Sequence, residues 1–190
     1  MRNIVLIRHG KTEANIKRIY CGYSDLKLTL DGIEELKTKK HLYDFIDDKY
    51  DFYTSGLNRT NETMNVLFSG KEYKMIPEFK EMNFGDFELK SYEELKETHA
   101  YQEWVKDYQN KKTPNGESFI EFYKRVIDAF QNLIETNKNN IVIITHGGVI
   151  YNILMYLFNE NKNIYELQPD NGEGVIIFDT SNKYRYELIK

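Results

Sequence analysis

Two histidines and two arginines of the sequence lie in short polar segments that follow apolar runs. Arg8 and His9 come directly after the first run. Arg59 lies shortly after the second run, and His146 directly follows a later one. An arginine fork offers paired donors to phosphate oxygens, and a neutral imidazole nitrogen can attack phosphorus in line. These residue types predict hydrolysis of a dianionic phosphate monoester through a phosphohistidine at His9.

Each of these side chains has its own expected role. Arg8 and Arg59 neutralise the phosphate, which would otherwise repel a nucleophile. His146, on the opposite side of the pocket, donates a hydrogen bond to the phosphoryl oxygens and stabilises charge in the transition state. Gly10 lets the backbone approach the phosphate closely. Taken singly, each histidine could be a structural residue and each arginine a surface ion-pair residue, so the prediction depends on their convergence.

The leaving alkoxide also needs a proton donor near the bridging oxygen. Glu81 is the candidate that we select for this role. Spacing alone does not distinguish Glu81 from Glu78, Asp86 or Glu88.

The apolar periodicity is typical of an α/β domain with a largely parallel sheet. The predicted strands are Asn3 to Ile7, Asp51 to Thr54, Lys74 to Ile76, Ile141 to Thr145, Gly174 to Phe178 and Tyr184 to Ile189. Ligands of such sheets bind at the carboxyl ends of the strands. If the strands that precede the histidines and Arg59 are parallel, these side chains meet at one edge of the sheet.

Longer amphipathic stretches predict helices between these strands. Starts are expected near Thr29, after Ser55, at the capping-box pair Ser91 and Glu94, and at the pair Ser118 and Glu121, which opens the longest helix, Phe119 to Asn137. No linker rich in Pro, Gly or Ser divides the chain, so residues 1–190 are predicted to form one domain, with residues 82–116 as a helical cap over the site. Tyr101, Trp104 and Tyr108 recur at helical spacing, which favours a packed helix face over a stacking platform for a benzimidazole base.

The ordered motifs of the chain resemble the phosphoglycerate mutase-like branch of the histidine phosphatase superfamily. The opening signature Arg-His-Gly-x-Thr-x-x-Asn stands at residues 8–15, and blocks at 21–32, 55–60 and 145–148 follow in the family's order. The resemblance implies a three-layer α/β/α sandwich with a mostly parallel mixed sheet and no cofactor or metal. It also implies the following site: His9 as nucleophile, Glu81 as proton donor, Arg8, Arg59 and His146 on the phosphate, and Asn15, Gly22 and Gly147 as substrate-binding residues.

The middle of the chain is similar to one group within that superfamily, the α-ribazole 5′-phosphate phosphatases of cobalamin nucleotide-loop assembly. The similarity lies in the segments 79–88, 104–110 and 113–119. The chain is also short between Glu81 and His146, where the mutases carry an insertion, and this favours a phosphatase. Two residues depart from the pattern: Lys11 stands where glutamate is usual, and Leu89 where many relatives have glycine. Both are expected beside the pocket, where they could affect substrate choice.

Composition narrows the other possibilities. The formal net charge is −4, with 30 acidic and 26 basic residues, which argues against a nucleic-acid partner. The single cysteine, Cys21, fits a reducing cytoplasm, and the apolar run Ile4 to Ile7 is too short for a signal peptide. The apolar stretch Ile141 to Phe158 is interrupted by polar residues, so no membrane partner is expected. A cytoplasmic protein whose partner is a small phosphate ester is predicted, with its oligomeric state left open.

Three other functions remain as alternatives to this phosphatase. A broad-specificity phosphatase or a phosphoglycerate mutase would use the same residues. A binding module could hold a phosphorylated ligand without turning it over, although such a module would need neither a nucleophile nor a proton donor. Turnover of the ester therefore separates the enzymes from the binding module.

Overall fold

The computed structural model describes residues 2–158, 164–180 and 183–190. Its strands are β1 (Arg2–Arg8), β2 (Tyr50–Thr54), β3 (Lys74–Met75), β4 (Asn140–Thr145), β5 (Gly174–Asp179) and β6 (Tyr184–Ile189). They form one sheet in the order β3-β2-β4-β1-β5-β6. All six predicted strands are therefore confirmed, with bounds shifted by no more than one residue.

The sheet is mixed and mostly parallel, as predicted. β1, β2, β3 and β4 run in the same direction, and β5 is antiparallel to both β1 and β6. Arg8 pairs with Thr145, and Thr54 pairs with Ile144. The carboxyl ends of β1, β2 and β4 therefore meet at one edge, where the sequence predicted the site.

The described helices are α1 (Glu13–Lys17), α2 (Leu30–Lys39), α3 (Asn58–Leu67), α4 (Tyr92–Leu95), α5 (His99–Lys106), α6 (Phe119–Thr136), α7 (Gly147–Phe158) and α8 (Ile164–Leu167). Three of the four predicted starts are confirmed by their caps, and α3 begins at Asn58, after Ser55 as predicted, without a side-chain cap. The Thr29 hydroxyl accepts from the Gly32 N–H, and full capping boxes stand at Ser91 and Ser118. α4 has only four residues, and α6 ends one residue before the predicted Asn137. No described helix is long and apolar enough to cross a membrane.

Two apolar layers cover the two faces of the sheet because the side chains of each strand alternate between them. On one face Ile4 and Leu6 of β1 pack with residues of α6 and α7, such as Phe130 and Ile150. On the other face Val5 and Ile7 belong to the cluster that contains residues of α2 and α3, Leu36, Met64 and Leu67. The result is the expected three-layer α/β/α arrangement.

The segment 82–116 carries α4 and α5 and a small apolar cluster of its own. Phe87, Leu95 and Tyr101 form this cluster, and Trp104 packs against it. The prediction of a packed helix face is confirmed for Tyr101 and Trp104 and is wrong for Tyr108. α5 ends at Lys106, so Tyr108 lies outside the helix, half-exposed, with its ring against Phe119.

Candidate active site

The predicted site residues meet where the ends of β1, β2 and β4 turn into loops and helices. Arg8 is the last residue of β1, Arg59 lies in the first turn of α3, and His146 connects β4 to α7. The ring centroids of His9 and His146 are 5.1 Å apart. The convergence predicted from the sequence is therefore observed.

Hydrogen bonding fixes which nitrogen of His9 carries the proton. Its Nδ1 lies 2.7 Å from the carbonyl oxygen of Gly10, which can only accept, so Nδ1 carries the hydrogen and donates. Burial lowers the pKa of His9 well below 6.5, and the charges of Arg59 and Arg8 act in the same direction. His9 is therefore a neutral imidazole whose Nε2 keeps its lone pair, which is the form that a nucleophile requires.

Backbone contacts hold His9 in place from two sides. The Gly10 N–H donates to the Thr63 hydroxyl of α3 at 2.9 Å. The amide of Asn171 donates to the carbonyl oxygen of His9 at 2.8 Å. His9 thus sits on backbone that is bonded to α3 and to the loop before β5.

Arg59 and His146 are buried close to His9 and are hydrogen-bonded to each other. The Arg59 Nε donates to His146 Nδ1 at 3.3 Å, so the imidazole hydrogen is on Nε2, which donates to the Ser55 hydroxyl at 2.9 Å. Burial and then the charge of Arg59 lower the pKa of His146 well below 6.5. Both ring nitrogens are engaged and the side chain is fully buried. In this arrangement His146 orients Arg59, and its predicted bond to phosphoryl oxygens stays a prediction.

Arg8 is held by the segment that follows α8. Its Nη1 donates to the carbonyl oxygen of Pro169 at 2.9 Å. The amide oxygen of Gln168, turned toward Arg8, accepts from the same nitrogen at 2.6 Å. The buried Nε of Arg8 has no hydrogen-bond partner among the described residues. The fork is thus fixed in direction by two acceptors of this segment.

The structure separates the four carboxylates that spacing left equivalent. Glu81 lines the cavity, and its Oε2 accepts from the N–H of Gly148 at 3.0 Å in the first turn of α7. Glu78 is exposed, and Asp86 is exposed and accepts from the Asn115 amide. Glu88 is not among the lining residues, and its carboxylate accepts from backbone N–H groups of residues 22–24. Glu81 is therefore the carboxylate among them that lines the same cavity as His9.

The cavity has a volume of about 290 Å³. Its polar lining residues include Arg8, His9, Arg59 and Glu81. Its apolar lining, called the aromatic wall below, includes Ile19, Tyr20, Met82, Phe84, Phe119, Phe122 and Ile164. Among the described lining residues the charged side chains are the two arginines and Glu81. The cavity thus fits one anionic group joined to an apolar body.

Two of the three predicted substrate-binding residues line this cavity. Asn15 does so, although its Oδ1 also accepts from the backbone and hydroxyl of Thr12 in the capping box of α1. Gly147 lies at the start of α7, where helix N–H groups lack intrahelical partners. Gly22 is not among the lining residues; its N–H donates to Glu88 and its carbonyl accepts from Arg59. Its predicted substrate contact stays a prediction.

Comparison with known proteins agrees with this geometry. The family model of the histidine phosphatase superfamily (branch 1) matches residues 4–189. The chain belongs to the histidine phosphatase superfamily. It is 33% identical over 156 residues to the adenosylcobalamin/α-ribazole phosphatase of Salmonella typhimurium, covering 76% of this chain and 74% of that protein.

Solved structures of the superfamily have the same fold. The α-ribazole phosphatase from Shigella flexneri superposes with a TM-score of 0.88 at 28% identity, covering 98% of this chain and 95% of that one. A phosphoglycerate mutase from Thermus thermophilus gives a TM-score of 0.75 at 26% identity, covering 99% and 98% of the two chains. The fold is thus shared by phosphatases and mutases, with the higher score for the phosphatase.

Neither of the two departures from the family pattern is among the lining residues, but each adjoins one, as expected: Lys11 precedes Thr12, and the Leu89 N–H donates to the carbonyl oxygen of Tyr20 at 2.7 Å. Lys11 is exposed and forms an ion pair with Glu35 of α2 at 2.7 Å. Leu89 is half-exposed and has φ = 60°, the left-handed region that glycine adopts without strain. The Leu89 departure therefore affects the backbone rather than the surface of the cavity.

Sequence reasoning missed the polar residues that hold this histidine phosphatase site together. Gln168, Pro169 and Asn171 lie far along the chain from the Arg8 and His9 that they contact. Such long-range contacts leave no periodic pattern in a single sequence. The Asn171-Gly172 pair, with Gly172 at φ = 76°, was a turn signal that could have drawn attention to this loop.

Proposed function

We propose that this histidine phosphatase hydrolyses phosphate monoesters through a phosphohistidine on His9. The lone pair of His9 Nε2 attacks phosphorus while the bond from phosphorus to the alcohol oxygen breaks. Glu81 gives its proton to that oxygen, which takes the electron pair of the broken bond. Water then attacks phosphorus, its proton passes to the Glu81 carboxylate, and His9 leaves as neutral imidazole with release of phosphate.

The observation that carries this proposal is the pairing of a neutral, lone-pair-bearing His9 with a carboxylate in one cavity that also contains two arginines. A module that only binds phosphate would need the arginines alone. Arg8 and Arg59 neutralise the ester and the charge of the transition state. The buried His146 acts through Arg59, and the N–H groups at the start of α7 offer further donors.

For the substrate we infer α-ribazole 5′-phosphate, or a closely similar ester with a flat apolar group. The aromatic wall of the cavity suits the benzimidazole base of that molecule, and the named relatives in Salmonella and Shigella support the same choice. A bisphosphorylated mutase substrate brings a second dianion. Besides Arg8 and Arg59, the described lining residues include no cationic side chain that could bind this second dianion. Segment 82–116 contributes Met82 and Phe84 to this wall, which supports its role as a cap.

The chemistry is tested by phosphoenzyme trapping. Wild-type protein with a chelator present should hydrolyse an aryl phosphate and carry an acid-labile, alkali-stable label, and His9→Ala should lose both. A label that persists in His9→Ala would remove the mechanism. Ligand binding without phosphate release by the wild type would favour the binding module.

The substrate is tested by comparing α-ribazole 5′-phosphate with ribose 5-phosphate, which has the same reacting end and no base. Burial of one ring against the wall is worth about 1.5–3 kcal/mol, so kcat/KM should differ by about tenfold or more. Phe84→Ala should reduce this preference, and Phe45→Ala, on an exposed side chain, should not. Equal rates for both esters would remove the narrow assignment, and transfer of phosphate between phosphoglycerates above hydrolysis would indicate a mutase.

A further inference from the structure

Glu88 makes a concentrated set of hydrogen bonds beside the candidate active site. Its carboxylate accepts from the backbone N–H groups of Gly22, Tyr23 and Ser24 at 2.9–3.1 Å. It also accepts from the N–H of Phe84 at 3.1 Å. A side chain that binds three successive amides of one loop fixes the orientation of that loop, here residues 22–24.

The carbonyl groups of the same loop point to Arg59. The carbonyl oxygen of Gly22 accepts from Nη2 at 2.6 Å, and that of Ser24 accepts from Nη1 at 2.8 Å. The loop thus lies between the negative charge of Glu88 and the positive charge of Arg59, and the dipole of the Gly22–Tyr23 peptide is aligned between them. A Cβ on Gly22 would lie 1.6 Å from the carbonyl oxygen of Met82, so the tight packing of the loop requires glycine there.

Arg59 is held without a carboxylate partner. Its side chain is 1% exposed, and its described contacts are the two loop carbonyls and the imidazole of His146. Burial lowers the pKa of Arg59, and the charge of Glu88 is among those that oppose this shift. A carboxylate in direct contact would neutralise the guanidinium and compete with an anionic substrate. Placing Glu88 on the far side of the loop supports the cation and leaves it available.

We propose that Glu88 is a positioning residue for the anion site, acting through loop 22–24 on Arg59. This rests on the proposed function, in which Arg59 binds the phosphoryl group. Glu88 itself does not touch the substrate. Removal of the Glu88 carboxylate should therefore weaken the binding of phosphate groups by the protein molecules that are folded, and not only reduce the folded fraction.

The test compares Glu88→Gln with Asp86→Asn, a control two residues away whose exposed carboxylate accepts from the Asn115 amide. Gln has the shape of Glu, but its NH₂ group would face amide N–H groups of the loop. Hydrolysis of an aryl phosphate gives kcat and KM, and inorganic phosphate serves as the competitive inhibitor. For Glu88→Gln we expect KM and the inhibition constant of phosphate to rise about tenfold or more, and for Asp86→Asn to match the wild type.

A merely structural role would give a different pattern. Fewer folded molecules would lower the apparent kcat and leave KM and the inhibition constant unchanged, and that result would overturn the proposal. If Glu88→Gln yields no folded protein, Glu88→Asp, whose side chain is shorter by one methylene, replaces it in the test. The inhibition constant of phosphate is then compared between Glu88→Asp and the wild type. Wild-type protein that neither hydrolyses nor binds phosphate would refute the proposed function and this role together. An unchanged variant of an active enzyme would refute only the role of Glu88.

Discussion

The two buried histidines should make the folded state sensitive to mild acid. In the folded protein burial and neighbouring arginines hold the pKa values of His9 and His146 well below 6.5. In the unfolded chain each imidazole takes up a proton near pH 6.5. Below that pH the unfolded state therefore binds more protons than the folded state, so the free energy of unfolding falls as the pH falls, until the folded pKa values are reached.

The size of this effect follows from linkage. A histidine with an unfolded pKa of about 6.5 and a much lower folded pKa removes about 0.1 kcal/mol of stability at pH 7.5 and about 1.4 kcal/mol at pH 5.5. His9 and His146 together should therefore account for about 2.7 kcal/mol of the loss between these two pH values. Carboxylates add to the total loss, so the informative quantity is the difference between the wild type and variants that lack a histidine.

Urea unfolding at pH 7.5 and 5.5 measures this difference. His9→Gln and His146→Gln should each reduce the stability lost between the two pH values by about 1.4 kcal/mol, and the double variant by about twice that. Ser55→Ala is the matched control, because it removes the hydrogen bond to His146 Nε2 and leaves both imidazoles buried. It should lower stability similarly at both pH values. If the histidine variants lose as much stability as the wild type, the imidazoles are not held neutral and the nucleophile assignment loses its physical basis.

Two further predictions concern single residues. Glu81→Gln should slow phosphoenzyme formation from an alkyl phosphate by about 10²–10⁴-fold and that from p-nitrophenyl phosphate far less, because only the alkoxide needs a proton in this step; equal losses in a single-turnover comparison would contradict the role of Glu81 as proton donor. Leu89→Gly should raise the free energy of unfolding by about 0.5–1 kcal/mol in denaturant titration, because glycine relieves the left-handed backbone at φ = 60°. Leu89→Ala keeps the backbone strain. If Leu89→Ala raises the free energy of unfolding as much as Leu89→Gly does, the gain does not come from relief of that strain.

The sequence was informative where a local signal decided the structure. Capping boxes at Ser91 and Ser118 and the alternating apolar runs placed the helices and strands, because these depend on near neighbours. The convergence of Arg8, Arg59 and His146 followed from the carboxyl ends of parallel strands. The sequence did not show which of the four carboxylates lines the cavity, because this depends on how residues 78–88 fold across the site. That fold is decided by packing against segments that are distant in the sequence.

The contacts of His146 suggest a second way in which this residue could serve the site, besides its predicted bond to phosphoryl oxygens. A histidine that directly contacts phosphate would present one ring N–H to the cavity, yet here the hydrogen on Nε2 goes to Ser55 and Nδ1 accepts from Arg59. A protonated His146 would place a second N–H against the Arg59 Nε–H, so the imidazole is most stable as a neutral acceptor. Glu88 and His146 thus hold the same guanidinium from two sides, one through loop carbonyls and the other directly. In the proposed mechanism the positive charge of the anion site then comes from the two arginines, and both histidines can stay neutral, as attack by His9 would require.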